Sequence, residues 1–105
     1  MTSDPLDRSE APLRAQALLS AQAALLDAVT PPLRGVTVGW RDGVVRLRFY
    51  FDGEISEEDR EAMQVAATEV IADFPADFDL KEEIVRRDAP EPMEGLQAWA
   101  YRRKE

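Results

Sequence analysis

Carboxylates are the side chains of this chain whose number and spacing could support chemistry. Between Asp52 and Asp79 the only basic residue is Arg60. A catalytic pair of carboxylates needs two groups with different pKa values in one cleft. A calcium-binding loop follows an Asp-x-Asp-x-Asp-Gly pattern, which this segment lacks. The spacing indicates instead a negatively charged surface, which would meet a basic partner or repel nucleic acid. The acidic residues of the segment are Asp52, Glu54, Glu57, Glu58, Asp59, Glu61, Glu69, Asp73, Asp77 and Asp79.

A second candidate set combines basic and aromatic residues on predicted strands. It consists of Arg41, Arg46, Arg48 and Tyr50, with Trp99 or Tyr101 from a later strand. Aromatic side chains among cations on an open sheet can hold single-stranded RNA. The formal net charge of −8 has the wrong sign for such a role, and no Gly-aromatic RNA-binding signature is present. Cross-strand pairing with Glu82 or Glu83 would explain the arginines without any ligand, so nucleic acid is a disfavoured partner.

The amino-acid composition excludes most common kinds of catalytic site. The 105 residues include no histidine and no cysteine, which excludes a Ser-His-Asp triad, a thiol nucleophile and Cys-ligated zinc. No phosphate-binding glycine loop occurs among the five glycines. We therefore expect a non-enzymatic protein with no cofactor and no metal.

Size and hydropathy predict one globular domain. The chain is 45% hydrophobic and 32% charged, which is typical of a folded domain of this length. Residues 1–10 are polar and predict a flexible N-terminal tail, followed by a single domain over residues 11–105. The tail lacks the basic and apolar regions of a signal peptide, and no apolar run approaches the roughly 20 residues of a membrane span. Together with the absence of cysteine, this predicts a cytoplasmic protein that does not contact a membrane.

The first predicted helix runs from Pro12 to Val29. Leucine and alanine recur there at intervals of three and four residues, and Thr30-Pro31-Pro32 would end the helix because proline cannot donate a helical hydrogen bond. Only Arg14 and Asp27 are charged within it. A helix that is apolar over so wide an arc is expected to pack into the core or against another chain.

Residues 35–51 predict a β-hairpin. Asp42-Gly43 is a strong two-residue turn signal. Pairing outward from the turn places Val38 opposite Leu47 and Val36 opposite Phe49, which gives one apolar core face. The other face is predicted to be a solvated strip of Thr37, Gly39, Arg41, Val44, Arg46, Arg48 and Tyr50.

The remaining elements complete an α+β pattern. Ser56 is the predicted N-cap of a second helix, with Asp59 at the capping-box position and Pro75 at the end. Strands are predicted over residues 79–87 and 96–103, with a loop over residues 88–95. The order α-β-β-α-β-β predicts a two-layer sandwich, in which both helices pack on one face of a four-stranded antiparallel sheet. The pattern leaves the strand order open.

Four stretches of the chain resemble a known family. They are LLDAVTPPLRGVTVGW (residues 25–40), LRFYFDGEISEEDREAM (47–63), ATEVIADFP (67–75) and AYRRKE (100–105). They are similar to short bacterial proteins, some of which resemble immunity proteins of colicin-type and contact-dependent toxin systems. The similarity spans about residues 15–105. It implies a protein that binds one toxin tightly and covers its active site or substrate surface, and it transfers no catalytic residue.

The resemblance gives the acidic segment a role. Nuclease toxins are basic because they bind polyanions, so an acidic inhibitor would gain electrostatic steering. Two alternatives stay open: a self-associating domain whose sheet face or first helix forms a homodimer seam, and a nucleic-acid adaptor that uses the arginine strip. The predicted partner-binding residues are Glu54, Glu57, Glu58 and Glu61, with Tyr50 as an exposed anchor and Arg46 and Arg48 beside it.

Overall fold

The computed structural model describes residues 10–105, which form an α+β fold with two α-helices and a four-stranded sheet. The order is α1 (Glu10–Ala24), β1 (Leu33–Gly39), β2 (Val44–Phe51), α2 (Glu57–Ala72), β3 (Asp79–Arg86) and β4 (Ala98–Arg102). The α-β-β-α-β-β order is therefore confirmed. The predicted tail over residues 1–10 lies outside the described residues, except for Glu10, where α1 begins.

The sheet is mixed, with the strand order β3-β2-β1-β4. Strand β1 pairs antiparallel with both β2 and β4, whereas β2 and β3 are parallel. The prediction of an entirely antiparallel sheet is wrong at this pair. The 16-residue helix α2 connects β2 to β3, and such a crossover returns the chain to the end of the sheet where β2 began. The next strand can then run in the same direction.

The hairpin has the predicted register. Val36 lies opposite Phe49 and Val38 opposite Leu47. The turn contains a short 3-10 segment over Arg41–Gly43, in which Asp42 has φ 59° and Gly43 has φ 72°. Both turn residues thus adopt the left-handed conformation that Asn, Asp and Gly tolerate best, which is why this dipeptide marks the turn in the sequence.

The core lies between the sheet and the two helices. Both helices pack against each other and against the sheet, and they share one apolar cluster with the predicted core face of the hairpin. Both helices are therefore on the same face, as the sequence predicts. The fully buried members of the cluster include Ala17 and Ala21 of α1, Met63, Ala67 and Val70 of α2, and Leu33, Val36, Val38, Val45, Leu47, Phe49 and Phe51 of the hairpin.

The opposite sheet face is partly covered, contrary to the prediction of a solvated strip. Tyr50 is 1% exposed, and its hydroxyl donates to the Glu94 carbonyl at 2.9 Å. The Thr37 hydroxyl donates to the Ala98 carbonyl at 2.7 Å and accepts from the Leu96 N–H at 2.8 Å. The segment before β4 therefore lies across this face. Sequence periodicity carried no signal for this segment, because it is an irregular loop.

The ends of the helices show how the sequence sets local structure. The Ser56 hydroxyl accepts from the Asp59 N–H at 3.0 Å, which confirms the predicted N-cap of α2. The Asp59 carboxylate, however, accepts from the Thr30 hydroxyl at 2.9 Å. Helix α1 ends at Ala24, before the predicted Val29, and the chain turns through Asp27 at φ 64°.

Candidate partner-binding surface

The N-terminal turn of α2 and the loop before it present four exposed carboxylates, Glu54, Glu57, Glu58 and Glu61. The Ser56 cap fixes where the helix begins, and acidic residues in a first turn are stabilised by the positive end of the helix dipole. None of the four forms an ion pair with another described residue. These four residues, called here the acidic patch, therefore project negative charge outward, although the Glu54 carboxylate also interacts electrostatically with the Arg86 guanidinium.

Other acidic residues of the same segment contribute to the fold. The Asp52 carboxylate pairs with Arg103 at 3.0 Å, and Asp73 accepts from the Ser20 hydroxyl at 2.9 Å. Asp59 holds Thr30, as described above. Asp52, Asp59 and Asp73 therefore connect elements of the fold, and the acidic patch is the part of this segment that we consider for a partner.

The outward side of α2 continues the acidic patch toward the helix C-terminus. Glu61, Gln64, Val65, Thr68 and Glu69 line a shallow groove there. Val65 is 58% exposed and lies out of phase with the buried residues of its helix. Sequence reasoning missed Val65, although an apolar residue outside the core stripe was the signal that could have found it.

Two of the predicted sheet-face residues are engaged within the protein. Arg48 donates to Glu83 and to the Tyr50 hydroxyl, each at 3.3 Å, so the predicted cross-strand pairing with Glu83 is confirmed. The Arg87 guanidinium lies 5.4 Å from the centroid of the Tyr50 ring. The prediction of Tyr50 as an exposed anchor is wrong, because the ring is buried under the segment that precedes β4 and its hydroxyl is satisfied internally.

Arg46 is partly exposed and lines a groove with Arg41 between the hairpin turn and residues 95–97. This groove is on the sheet face opposite the helices, because Arg46 alternates with the buried Val45 and Leu47. The seven predicted residues therefore do not form one surface. The four glutamates belong to the acidic patch, while Arg46, Arg48 and Tyr50 lie on the far side of the sheet.

A buried ionic cluster around Arg34 was not predicted. Arg34 is 2% exposed, and its guanidinium donates to both carboxylate oxygens of Glu105 at 2.7 Å. It also donates to the carbonyls of Arg87 and Glu91. The hydrogen bond from Arg34 lowers the pKa of Glu105 to about 2. Because every contact is internal, this cluster holds the fold together, and its only sequence signal was an arginine between apolar residues of a strand.

Other kinds of site find little support in the described part of the chain. No group of three or more acidic side chains in residues 10–105 is placed to hold a metal ion. No helix in the same range is long and apolar enough to cross a membrane. The arrangement offers charge and shape for a macromolecular partner.

Comparison with known proteins identifies a family. A family model described as MafI2 immunity protein matches residues 14–105, which is most of the chain. No match is found among curated proteins.

Proposed function

Because the chain belongs to the MafI2 immunity protein family, we propose that it binds a cognate bacterial toxin and neutralises it by covering the surface through which the toxin acts. The observation that carries the proposal to particular residues is the acidic patch of Glu54, Glu57, Glu58 and Glu61, whose carboxylates are exposed and form no ion pair within residues 10–105. The protein acts by binding and performs no catalysis of its own.

The partner that fits the acidic patch is a basic protein. A toxin that degrades or modifies nucleic acid carries cations to bind its substrate, and those cations would be attracted to a chain of net charge −8. Complementary charge of this kind accelerates association and rejects wrong partners, more than it adds affinity. The toxin is thus expected to bind faster at low ionic strength.

Protection of growing cells tests the proposal. Bacteria expressing a candidate cognate toxin should grow when this chain is co-expressed. They should lose protection when Glu57, Glu58 and Glu61 are all replaced by lysine. The matched control replaces Asp79, Glu82 and Glu94 by lysine, which makes the same change in charge at exposed positions elsewhere. Equal protection by both triple variants would contradict a role for the acidic patch.

Binding measurements in solution distinguish recognition by the acidic patch from a general effect of the net charge. The association rate constant of the wild-type chain with the purified toxin should fall as salt is added, and this salt dependence should be much weaker for the Glu57, Glu58 and Glu61 variant. The control variant should retain the wild-type salt dependence. A wild-type rate that does not change with salt would argue against electrostatic recognition.

We also propose that the complex forms in the cytoplasm. A chain without cysteine has no need of an oxidising compartment. Fractionation of the producing cells should recover the chain with cytoplasmic markers, and recovery with periplasmic markers would contradict this location.

A further inference from the structure

The outward side of α1 and the turn after it carry large apolar side chains that are exposed. Leu19 is 67% exposed, and the exposed residues Ala15 and Ala23 lie on the same side of the helix at intervals of four. Leu26 is 75% exposed and lies in the turn after α1, where its N–H donates to the Ala23 carbonyl at 3.2 Å. These four residues are called here the α1 stripe. Single exposed leucines are ordinary on protein surfaces, whereas a row of apolar residues on an almost uncharged helix is typical of an interaction surface.

Two hydrogen bonds show which part of the molecule borders the α1 stripe. Ser20 donates to Asp73 and Thr30 donates to Asp59, each at 2.9 Å. Ser20 of α1 thus meets the C-terminal end of α2, and Thr30, in the connection after α1, meets the N-terminal turn of α2. The two helices are therefore antiparallel neighbours, and the edge of α2 that faces α1 is acidic at both ends.

The outward side of α2 carries one exposed apolar residue among carboxylates. Glu58, Ala62, Val65, Glu69 and Asp73 recur at intervals of three and four residues, so they follow one side of the helix. Val65 is exposed and lies between the carboxylates of this side. The helical layer therefore presents the α1 stripe on one helix and, on its antiparallel neighbour, the exposed Val65 among acidic residues.

The acidic residues near the α1 stripe indicate which kind of partner can bind there. A second copy of the chain would bring another molecule of net charge −8 against these acidic residues, and like charges facing each other oppose association. A basic partner with an apolar patch would neutralise these residues and cover the leucines. Interfaces commonly combine an apolar centre, which supplies affinity, with a polar rim that contributes specificity.

We propose that the α1 stripe is the apolar centre of the toxin-binding surface, with the acidic patch as part of its rim. The proposal rests on the proposed function, because its occupant is the same basic toxin. It assigns most of the affinity to Leu19 and Leu26, and the salt-dependent rate of association to the acidic patch.

Site-specific photocrosslinking in the producing bacterium tests the location. The photoreactive residue p-benzoylphenylalanine replaces Leu19, Leu26, Glu61 or Glu82, one position at a time, and adducts are identified by mass spectrometry. We expect Leu19, Leu26 and Glu61 to capture the same basic protein, and this protein to arrest growth when it is expressed without the chain. The control position Glu82, on the outer strand β3, should give no such adduct.

The other outcomes overturn the proposal in distinguishable ways. Capture of the toxin from Glu61 alone would leave the proposed function standing and remove the α1 stripe from the interface. Adducts between two copies of the chain through Leu19 or Leu26 would make the stripe a homodimer seam. Adducts that join it to residues 1–9 would make it an internal contact. Absence of the toxin from all positions would contradict both the stripe and the proposed function.

Affinity measurements with the purified captured protein test the division of roles. Leu19→Ser and Leu26→Ser should each weaken binding about tenfold or more, because burial of a leucine side chain is worth about 1.5–3 kcal/mol. The loss should be equal at low and high salt. Val44→Ser, an apolar-to-polar change on the opposite sheet face, is the matched control and should leave affinity unchanged. Wild-type affinity in both leucine variants, with unchanged circular dichroism, would refute the proposal.

Discussion

Arg34 is a buried charged residue whose guanidinium stabilises the fold. Its planar group meets the Glu105 carboxylate through two parallel hydrogen bonds and meets two backbone carbonyls on its other side. A buried charge that lost its counter-ion would be left uncompensated, which destabilises a fold far more than loss of an exposed pair. Glu105 is thereby tied to β1, and Arg103 strengthens the tie by contacting both Asp52 and Glu105.

The Arg34–Glu105 pair should make stability depend on acid pH. The pKa of Glu105 is about 2 in the folded protein against an ordinary value of 4.5. The stabilisation is therefore complete above about pH 4.5 and is lost as the pH falls toward 2. Glu105→Gln should lower the urea midpoint at neutral pH, and the difference from wild type should shrink over that range. An exposed carboxylate without an ion pair, changed as Glu82→Gln, serves as the control. A pH-independent difference would contradict the assignment.

A substitution at Tyr50 tests whether the contacts on the sheet face opposite the helices contribute to stability. Tyr50→Phe keeps the ring but removes the hydroxyl that donates to the Glu94 carbonyl. We expect the free energy of unfolding to fall by about 1 kcal/mol, the usual contribution of one hydrogen bond. Tyr101→Phe, a half-buried tyrosine on β4, is the control and should have a smaller effect. Urea denaturation compares them, and equal stability of the Tyr50 variant and wild type would argue that the covering segment is only loosely attached.

At the scale of elements, α2 has two roles. It crosses from β2 to β3, which makes the sheet mixed, and its outward side carries most of the acidic patch and the exposed Val65. Its buried side packs Met63, Ala67 and Val70 into the core. Because α2 joins two parallel strands, the sheet beneath it fixes the position of the helix. The position of the binding surface that α2 carries is fixed in the same way.

The hairpin turn should be sensitive to the residue at Gly43. Its φ of 72° is unfavourable for any side chain, while an added Cβ would touch nothing within 4 Å. Gly43→Val should therefore destabilise the protein by about 1–2 kcal/mol through backbone strain alone. Asp42→Gly, which relieves the same conformation at the neighbouring position, should be tolerated. Thermal unfolding distinguishes them, and a Gly43→Val variant as stable as wild type would show that the turn can adopt another conformation.

The sequence predicted those elements whose information is local. The hairpin register follows from a turn dipeptide and strict alternation, and the α2 cap follows from Ser56, so both are correct. The direction of β3 depends on where a helix returns the chain, and the burial of Tyr50 depends on a loop that docks from more than 40 residues away. Neither the direction of β3 nor the burial of Tyr50 leaves a periodic pattern in the sequence. The exposure of the acidic patch could be predicted from helix phase, whereas its separation from Arg46 required the sheet.

For the whole molecule, the acidic surface that attracts a basic partner also repels itself. The free protein carries a net charge of −8, and a cluster of like charges weakens the compact state through self-repulsion. Binding to a basic toxin would relieve this repulsion. Glu61, which belongs to the acidic patch but lies beyond the first turn of α2, is therefore expected to oppose stability.

Neutralising part of this surface should separate stability from function. The double variant Glu61→Gln, Glu69→Gln should unfold at a higher urea concentration than wild type in dilute buffer, yet protect cells less well against the toxin. The gain in stability should vanish at 1 M salt, where the Debye length is about 3 Å. Glu82→Gln with Glu94→Gln, at two other exposed positions, is the control for the number of charges. A double variant that is less stable than wild type at low salt would contradict the self-repulsion.

The strand order β3-β2-β1-β4 has a consequence for biosynthesis. The central strand β1 is made early, but one of its two neighbours, β4, contains residues 98–102. Until these residues leave the ribosome, β1 retains an unpaired edge, which is a template for wrong pairing. The native sheet can therefore close only after β4 has been synthesised, and a ribosome that stalls before β4 would release a chain that lacks the fold.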